Sequence, residues 1–116
     1  MNKDSDGSIG VVIPCYREKS FIGEVIAKIP KCVSRIYVVD DACPDNTGDY
    51  VESINHDERV MVLRHLHNKG VGGAVLTGYR EAICDGMTVI VKLDGDGQMN
   101  PEQIPNFTKP IFSGDA

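Results

Sequence analysis

The chain has 116 residues, 41% apolar and 25% charged, a composition that suits one globular domain with one core and excludes a disordered chain. The formal charge of −5, with no basic stripe, disfavours nonspecific nucleic-acid binding. Cys15, Cys32, Cys43 and Cys84 form no CxxC pair, so they read as small buried thiols of a reduced, cytoplasmic protein rather than as zinc ligands. No apolar run reaches the length of a membrane span and no signal peptide opens the chain, so this stretch is expected to be soluble.

Residues 1–8 are polar and aperiodic and read as a flexible leader, with the folded part expected over 9–116. Ile9 to Pro14 is a continuous apolar run, as a strand buried on both faces would be. Ser20 is positioned to cap a helix carrying Ile22, Val25, Ile26 and Ile29 on one stripe, which Pro30 stops. Arg35 to Asp40 is a second, β-branched strand. Thr47 to Ile54 is helical, with Tyr50, Val51 and Ile54 on one face. Val60 to Leu63 makes a third strand. Gly70 to Gly73 reads as a turn into a helix from about Ala74 to Ile83. Thr88 to Leu93 is the fourth strand. Asn100, Pro101 and Gln103 supply a cap, a first-turn proline and a reach-back side chain for a last helix.

Strands alternating with helices predict a mostly parallel sheet with helices on both faces, a Rossmann-like α/β sandwich. Ligands of such sheets bind beyond the carboxyl ends of the strands. Unusual polar residues gather there: Pro14, Tyr16 and Glu18 after the first strand, Asp40 and Asp41 after the second, Asp94 and Asp96 after the fourth.

Asp94 and Asp96 flank Gly95 on a bend, so both carboxylates can converge on one cation, and oxygen ligands suit Mg2+ or Mn2+. An EF-hand is excluded, because its bend glycine falls at Met99 and its closing glutamate at Pro105. Asp40 and Asp41, as neighbours on a strand, point to opposite faces and cannot share a role. One is expected to brace the loop by accepting backbone donors. The other, assigned to Asp41 as the one nearer the exposed end, is expected to accept from a base or ribose. On this motif alone a solvated acidic loop explains the pair equally well. The glycines from Gly70 to Gly73 could bring a backbone up to a phosphate, or simply allow close packing of helix on sheet. No Gly-Lys-Ser/Thr follows Gly70, which excludes a P-loop. Tyr16 could stack on a base and Glu18 could accept from it. His56, His65 and His67 match no metal spacing and carry no assigned role.

VVIPCYRE, VVDDACPDNT, NKGVGGAVLTGYREA and KLDGDGQMNPEQIP, in that order, resemble the motifs of family-2 glycosyltransferases, most closely those acting on polyprenyl (dolichol) phosphates. The likeness runs from about Ile9 to Phe112. It implies a GT-A fold, with Pro14, Tyr16, Glu18, Asp41 and Asp94 as nucleotide contacts. It implies Asp96, supported by Asp94, as the catalytic metal and diphosphate site, with Gln98 beside it. Arg17 stands where the family commonly has asparagine and Ala42 where it commonly has glycine; both departures read as tolerable. The family's acceptor-side residues follow the DxD segment. The domain is therefore expected to be incomplete at the C-terminus, and the piece to bind donor better than it turns it over. The implied partners are a nucleoside-diphosphate sugar and a lipid-phosphate acceptor. Self-association, and attachment of the whole protein to the cytoplasmic face of a membrane, stay open.

The competing class is a Rossmann-type module of an oxidoreductase. Gly70, Gly72 and Ala74 loosely imitate its glycine fingerprint, and Asp94 follows at the distance of its ribose acid. That fingerprint is out of register, and the paired aspartates have no task in it. A noncatalytic interaction domain is a third class, which would show no metal-dependent nucleotide binding.

Overall fold

The structure is a computed structural model that describes residues 7–17, 19–94, 100–106 and 108. Four strands form one parallel sheet: β1 (Ile9–Cys15), β2 (Arg35–Asp40), β3 (Val60–Arg64) and β4 (Val89–Lys92), in the order β3-β2-β1-β4. The connecting helices are α1 (Lys19–Ala27), α2 (Thr47–Ile54) and α3 (Gly70–Cys84), and a short 3₁₀ turn follows at Pro101–Gln103.

Alternation along the two central strands assigns each side chain to a layer. Ile9, Val11, Ile13 and Cys15 of β1 join Ile36 and Val38 of β2, packing with Ile22, Val25 and Ile26 of α1 and Val51 of α2. Val12, Tyr37 and Val39 face the other way, into a smaller cluster with Ala74 and Ala82 of α3. Helices thus cover both faces, as the unbroken apolar runs predict. Gly78 lets α3 lie close on β1, since a Cβ there would stand 2.4 Å from Val12 Cγ1.

Several local expectations are corrected. Ser20 is not the cap of α1, which already begins at Lys19. The anion at that end is Asp45, whose carboxylate accepts from the Lys19 backbone N–H across the fold. Gly70 to Gly73 are not a turn before α3 but its first turn. The N–H of Lys69 is met by Asp41 and that of Gly70 by Asn68, so the helix can start there. Asn100 does cap the last turn, accepting from Glu102 N, but the Gln103 side chain accepts from Asn106 instead of reaching back. Cys15 and Cys43 are buried as expected, whereas Cys32 and Cys84 are exposed, on the α1–β2 loop and at the end of α3. Ser8, assigned to the leader, is buried and exchanges hydrogen bonds with Gly86 and Thr88, closing the start of β4 onto β1.

Candidate functional site

In the order β3-β2-β1-β4 the chain reverses direction of travel across the sheet between β1 and β4. At such a switch point the loops leaving the two strands diverge and open a crevice at their carboxyl ends. The end of β1 carries Pro14 to this rim, the loop after it carries Tyr16 and Arg17, and Asp94 stands just beyond β4. Asp41 follows β2, and its N–H donates to Cys15 O at 3.2 Å, tying the second strand's end to the first. Pro14, Tyr16, Asp41 and Asp94 therefore lie along one rim, on strands β2, β1 and β4 in succession. Glu18, Asp96 and Gln98 lie outside the described residues.

The acidic segment after β2 is built into the fold. Asp40 turns to the α2 side, where Oδ1 accepts from Cys43 N at 2.8 Å and Oδ2 from Gly48 N at 2.7 Å. A Cβ on Gly48 would come 2.7 Å from that Oδ2, so glycine is what admits the contact. Asp41 turns to the α3 side: Oδ1 accepts from Lys69 N and meets His65 Nδ1, both at 2.7 Å. Asp45 accepts from Thr47 Oγ1 at 2.6 Å and from the Cys43 thiol. Carboxylates from one short segment thus stand at the starts of α1, α2 and α3, where helix dipoles favour negative charge. A merely solvated loop is ruled out, and the two carboxylates do face opposite sides, but both accept backbone donors, so bracing is not the task of one alone.

Asp41 is not at the more exposed end, however. It is 3% exposed against 6% for Asp40, because the β3–α3 loop folds over it. Asn68 Nδ2 donates to the Asp41 carbonyl at 3.1 Å while Asn68 Oδ1 accepts from Gly70 N at 3.0 Å, pinning that loop down. Burial alone would push the Asp41 carboxyl up. Hydrogen bonds from His65 and from the Lys69 and Gly70 backbone N–H groups outweigh burial and hold it below its usual range. The group is thus an anion at neutral pH. His65 and Thr77 escaped the sequence reading: a histidine directly after a strand looks like any loop residue until α3 packs over it.

Tyr16 is 41% exposed, with the Arg17 guanidinium 5.4 Å from its ring centroid. Arg17 N donates to Cys43 Sγ at 2.8 Å, joining the first loop to the second. Arg17 and Ala42 have φ of 59° and 55°. These are left-handed positions, which asparagine and glycine occupy cheaply and other residues do not. The two departures noted in the sequence are therefore strained ones.

Asp94 has a half-exposed side chain whose Oδ1 lies 3.2 Å from Lys92 Nζ. A solvent-facing carboxylate at the crevice is the hard oxygen donor that Mg2+ or Mn2+ takes. Among the described residues, no three His, Cys, Asp or Glu side chains gather into a metal-binding group. Asp94 supplies one such oxygen donor, and Asp96 lies outside the described residues.

A parallel α/β sheet of this order with helices on both faces is the layout of the GT-A fold. The match to the structure of TarS from S. aureus agrees, at a TM-score of 0.75 and 22% identity over 91% of this chain and 32% of that one. Glycosyl transferase family 2 matches residues 10–116, and the chain belongs to that family. It is 35% identical over 107 residues to an undecaprenyl-phosphate mannosyltransferase of Micrococcus luteus, covering 90% of this chain and 44% of that protein. It is 34% identical over 110 residues to a dolichol-phosphate mannosyltransferase of Pyrococcus furiosus, covering 91% and 30%. The chain thus spans less than half the length of these curated relatives.

Proposed function

We propose that this protein transfers a sugar from a nucleoside-diphosphate sugar to a polyprenyl phosphate, and that residues 9–116 hold the donor. The observation that carries the reading is the alignment of Tyr16, Asp41 and Asp94 along the carboxyl ends of three neighbouring strands at the switch point. Relatives named for transfer to undecaprenyl and dolichol phosphates support the acceptor. A TarS structure in complex with UDP-GlcNAc supports the donor class.

In this reading Tyr16 offers a ring for the base, and Pro14 shapes the loop beneath it. Asp41 is assigned to a base or ribose donor, through a carboxylate that His65 and the Lys69 and Gly70 backbone N–H groups already hold in place. Glu18 accepts from the base. Asp94 and Asp96 would hold Mg2+ or Mn2+. When bound, that cation would offset the negative charge that develops on the departing diphosphate. A phosphate acceptor is already anionic near neutral pH and needs less help from a general base than a hydroxyl does. It would also bring the whole protein to a membrane face. No helix among the described residues is long and apolar enough to cross one. The oxidoreductase reading loses ground at β1, because a dinucleotide fold needs its glycine fingerprint in the first βα turn. That turn holds Pro14, Cys15, Tyr16 and Arg17, and the glycines instead open α3.

Titration calorimetry of UDP and GDP tests the proposal, with manganese or with chelator. Metal and diphosphate should bind cooperatively, each weakly alone. Asp96→Asn keeps size and removes a charge, so cooperativity should fall while the fold survives, and Asp94→Asn should act in the same direction less severely. If chelator leaves wild-type affinity unchanged, the metal site is lost from the reading. If NAD binds and neither nucleotide does, the reading fails as a whole.

A further inference from the structure

We propose that His65 is a positioning residue of the donor site, holding the Asp41 carboxylate and the first turn of α3 in one register. The proposal rests on the reading of Asp41 as a donor contact. His65 follows β3 directly, and its N–H donates to Asp40 O at 2.9 Å, which fixes its backbone on the end of β2. Its side chain is 5% exposed and that of Asp41 is 4% exposed. Nδ1 lies 2.7 Å from Asp41 Oδ1, and Nε2 lies 2.7 Å from Thr77 Oγ1 on α3.

Proton counting assigns the roles. Asp41 is ionised and can only accept, so Nδ1 carries a hydrogen and donates to it. Thr77 Oγ1 also lies 3.1 Å from Gly73 O in the first turn of α3. A hydroxyl has one hydrogen. With a neutral ring, Thr77 donates to Nε2; with a charged ring, Nε2 donates to Thr77, which then donates to Gly73 O. In either state both ring nitrogens are engaged, and the ring cannot turn without breaking a buried bond. Thr77 thus fixes the ring, and the ring fixes Asp41. Lys69 N, bonded to the same Oδ1, carries the coupling into the start of α3. The β2 rim and the glycine-bearing turn then present themselves to a nucleotide as one rigid edge.

Amide substitutions separate the two ring nitrogens. Asn at position 65 places a donor where Nδ1 stands and keeps the Asp41 bond. Gln reaches the Nε2 position and keeps the Thr77 bond alone. With manganese present, His65→Gln should weaken binding of UDP or GDP, whichever the wild type holds more tightly, by about tenfold or more, the range of a lost hydrogen bond to a charge. His65→Asn should stay within about threefold of wild type by the same measure. Melting temperatures are recorded alongside, since a purely structural histidine would rank the variants by stability and not by which nitrogen is replaced. Should the Gln variant fail to fold, the pair at Thr77 decides: Thr77→Val should weaken binding and Thr77→Ser restore it. Equal affinities for the Asn and Gln variants, or wild-type affinity in both Thr77 variants, overturn the proposal. A wild type that binds neither nucleotide overturns the donor-site reading itself, which is a different result from wild-type binding that His65 does not influence.

Discussion

Ala42 directly follows Asp40 and Asp41, two adjacent carboxylates that point to opposite sides of the sheet. Asp41 turns toward α3, and Cys43 N must return to Asp40 Oδ1 at 2.8 Å. The chain makes that reversal at φ 55°, where a Cβ crowds the backbone. Ala42→Gly should therefore raise stability by about 1 kcal/mol, the left-handed penalty less some of glycine's extra unfolded-state entropy. Urea unfolding would show this as a higher midpoint at unchanged slope. A midpoint equal to or below wild type would show that the loop does not store this strain. The residues of the rim were unevenly legible in the sequence. Asp94 and Asp41 announce themselves because carboxylates at strand ends are costly unless used or capped. His65 does not, because its place is set by α3 packing over β3, a contact between residues brought together only by the fold. Asp45 fails for the same reason: its helix is α1, which precedes it in the chain.

The strands and α2 were read nearly to the residue, since β-branched runs bounded by polar loops carry their own limits. Helix starts were read less well wherever the capping anion comes from elsewhere. A local cap such as Ser20 is a fair expectation from sequence, but α1 and α3 receive Asp45 and Asp41 and so begin two and four residues earlier than their sequence signals place them. The packing of α3 on β1 gives a direct test at this scale. Gly78 faces Val12, and an added Cβ would lie 2.4 Å from Cγ1 and 3.0 Å from Cγ2. Helix propensity alone favours Gly78→Ala by up to about 1 kcal/mol. Overpacking against a fully buried valine opposes it by about 1–3 kcal/mol, so the variant should lose stability. Val12→Ala in the same chain removes the atoms that clash, so the double variant should lose less than the two single losses added together. Thermal unfolding of the four proteins measures the coupling. Simple additivity would mean that α3 shifts to absorb the extra atom.

At the scale of the whole molecule the two ends of the sheet compete as places for a ligand, and size and chemistry point to opposite ends. A groove of 760 Å³ lies between the C-terminal ends of α1 and α2, floored by Gly23, Ile26, Val51 and Ile54. In a parallel α/β layer the helices run back against the strands, so this groove is at the amino rim. Of its cations Lys31 and Arg59, the second is already engaged: the guanidinium binds Asp57 and the carbonyls of Ile29, Pro30 and Val33, clasping the chain that leaves α1. The opposite rim carries a half-exposed tyrosine that can offer its ring to a base and a solvent-facing carboxylate that can offer oxygen to a cation. Volume is the weaker guide, because a groove between helix ends forms wherever two amphipathic helices splay. Nucleotide should bind at the carboxyl rim alone. Tyr16→Ala should therefore weaken UDP or GDP binding by about tenfold, taking base stacking on an aromatic ring as worth about 1–3 kcal/mol. Ile54→Ser, which widens the groove at a side chain already 38% exposed, should leave that affinity within about twofold, well under the tenfold of 1.4 kcal/mol. Calorimetry on both variants reads the difference. The reverse pattern, with Ile54→Ser costly and Tyr16→Ala silent, would move the nucleotide to the other end of the sheet and detach the family's donor site from the rim assigned to it.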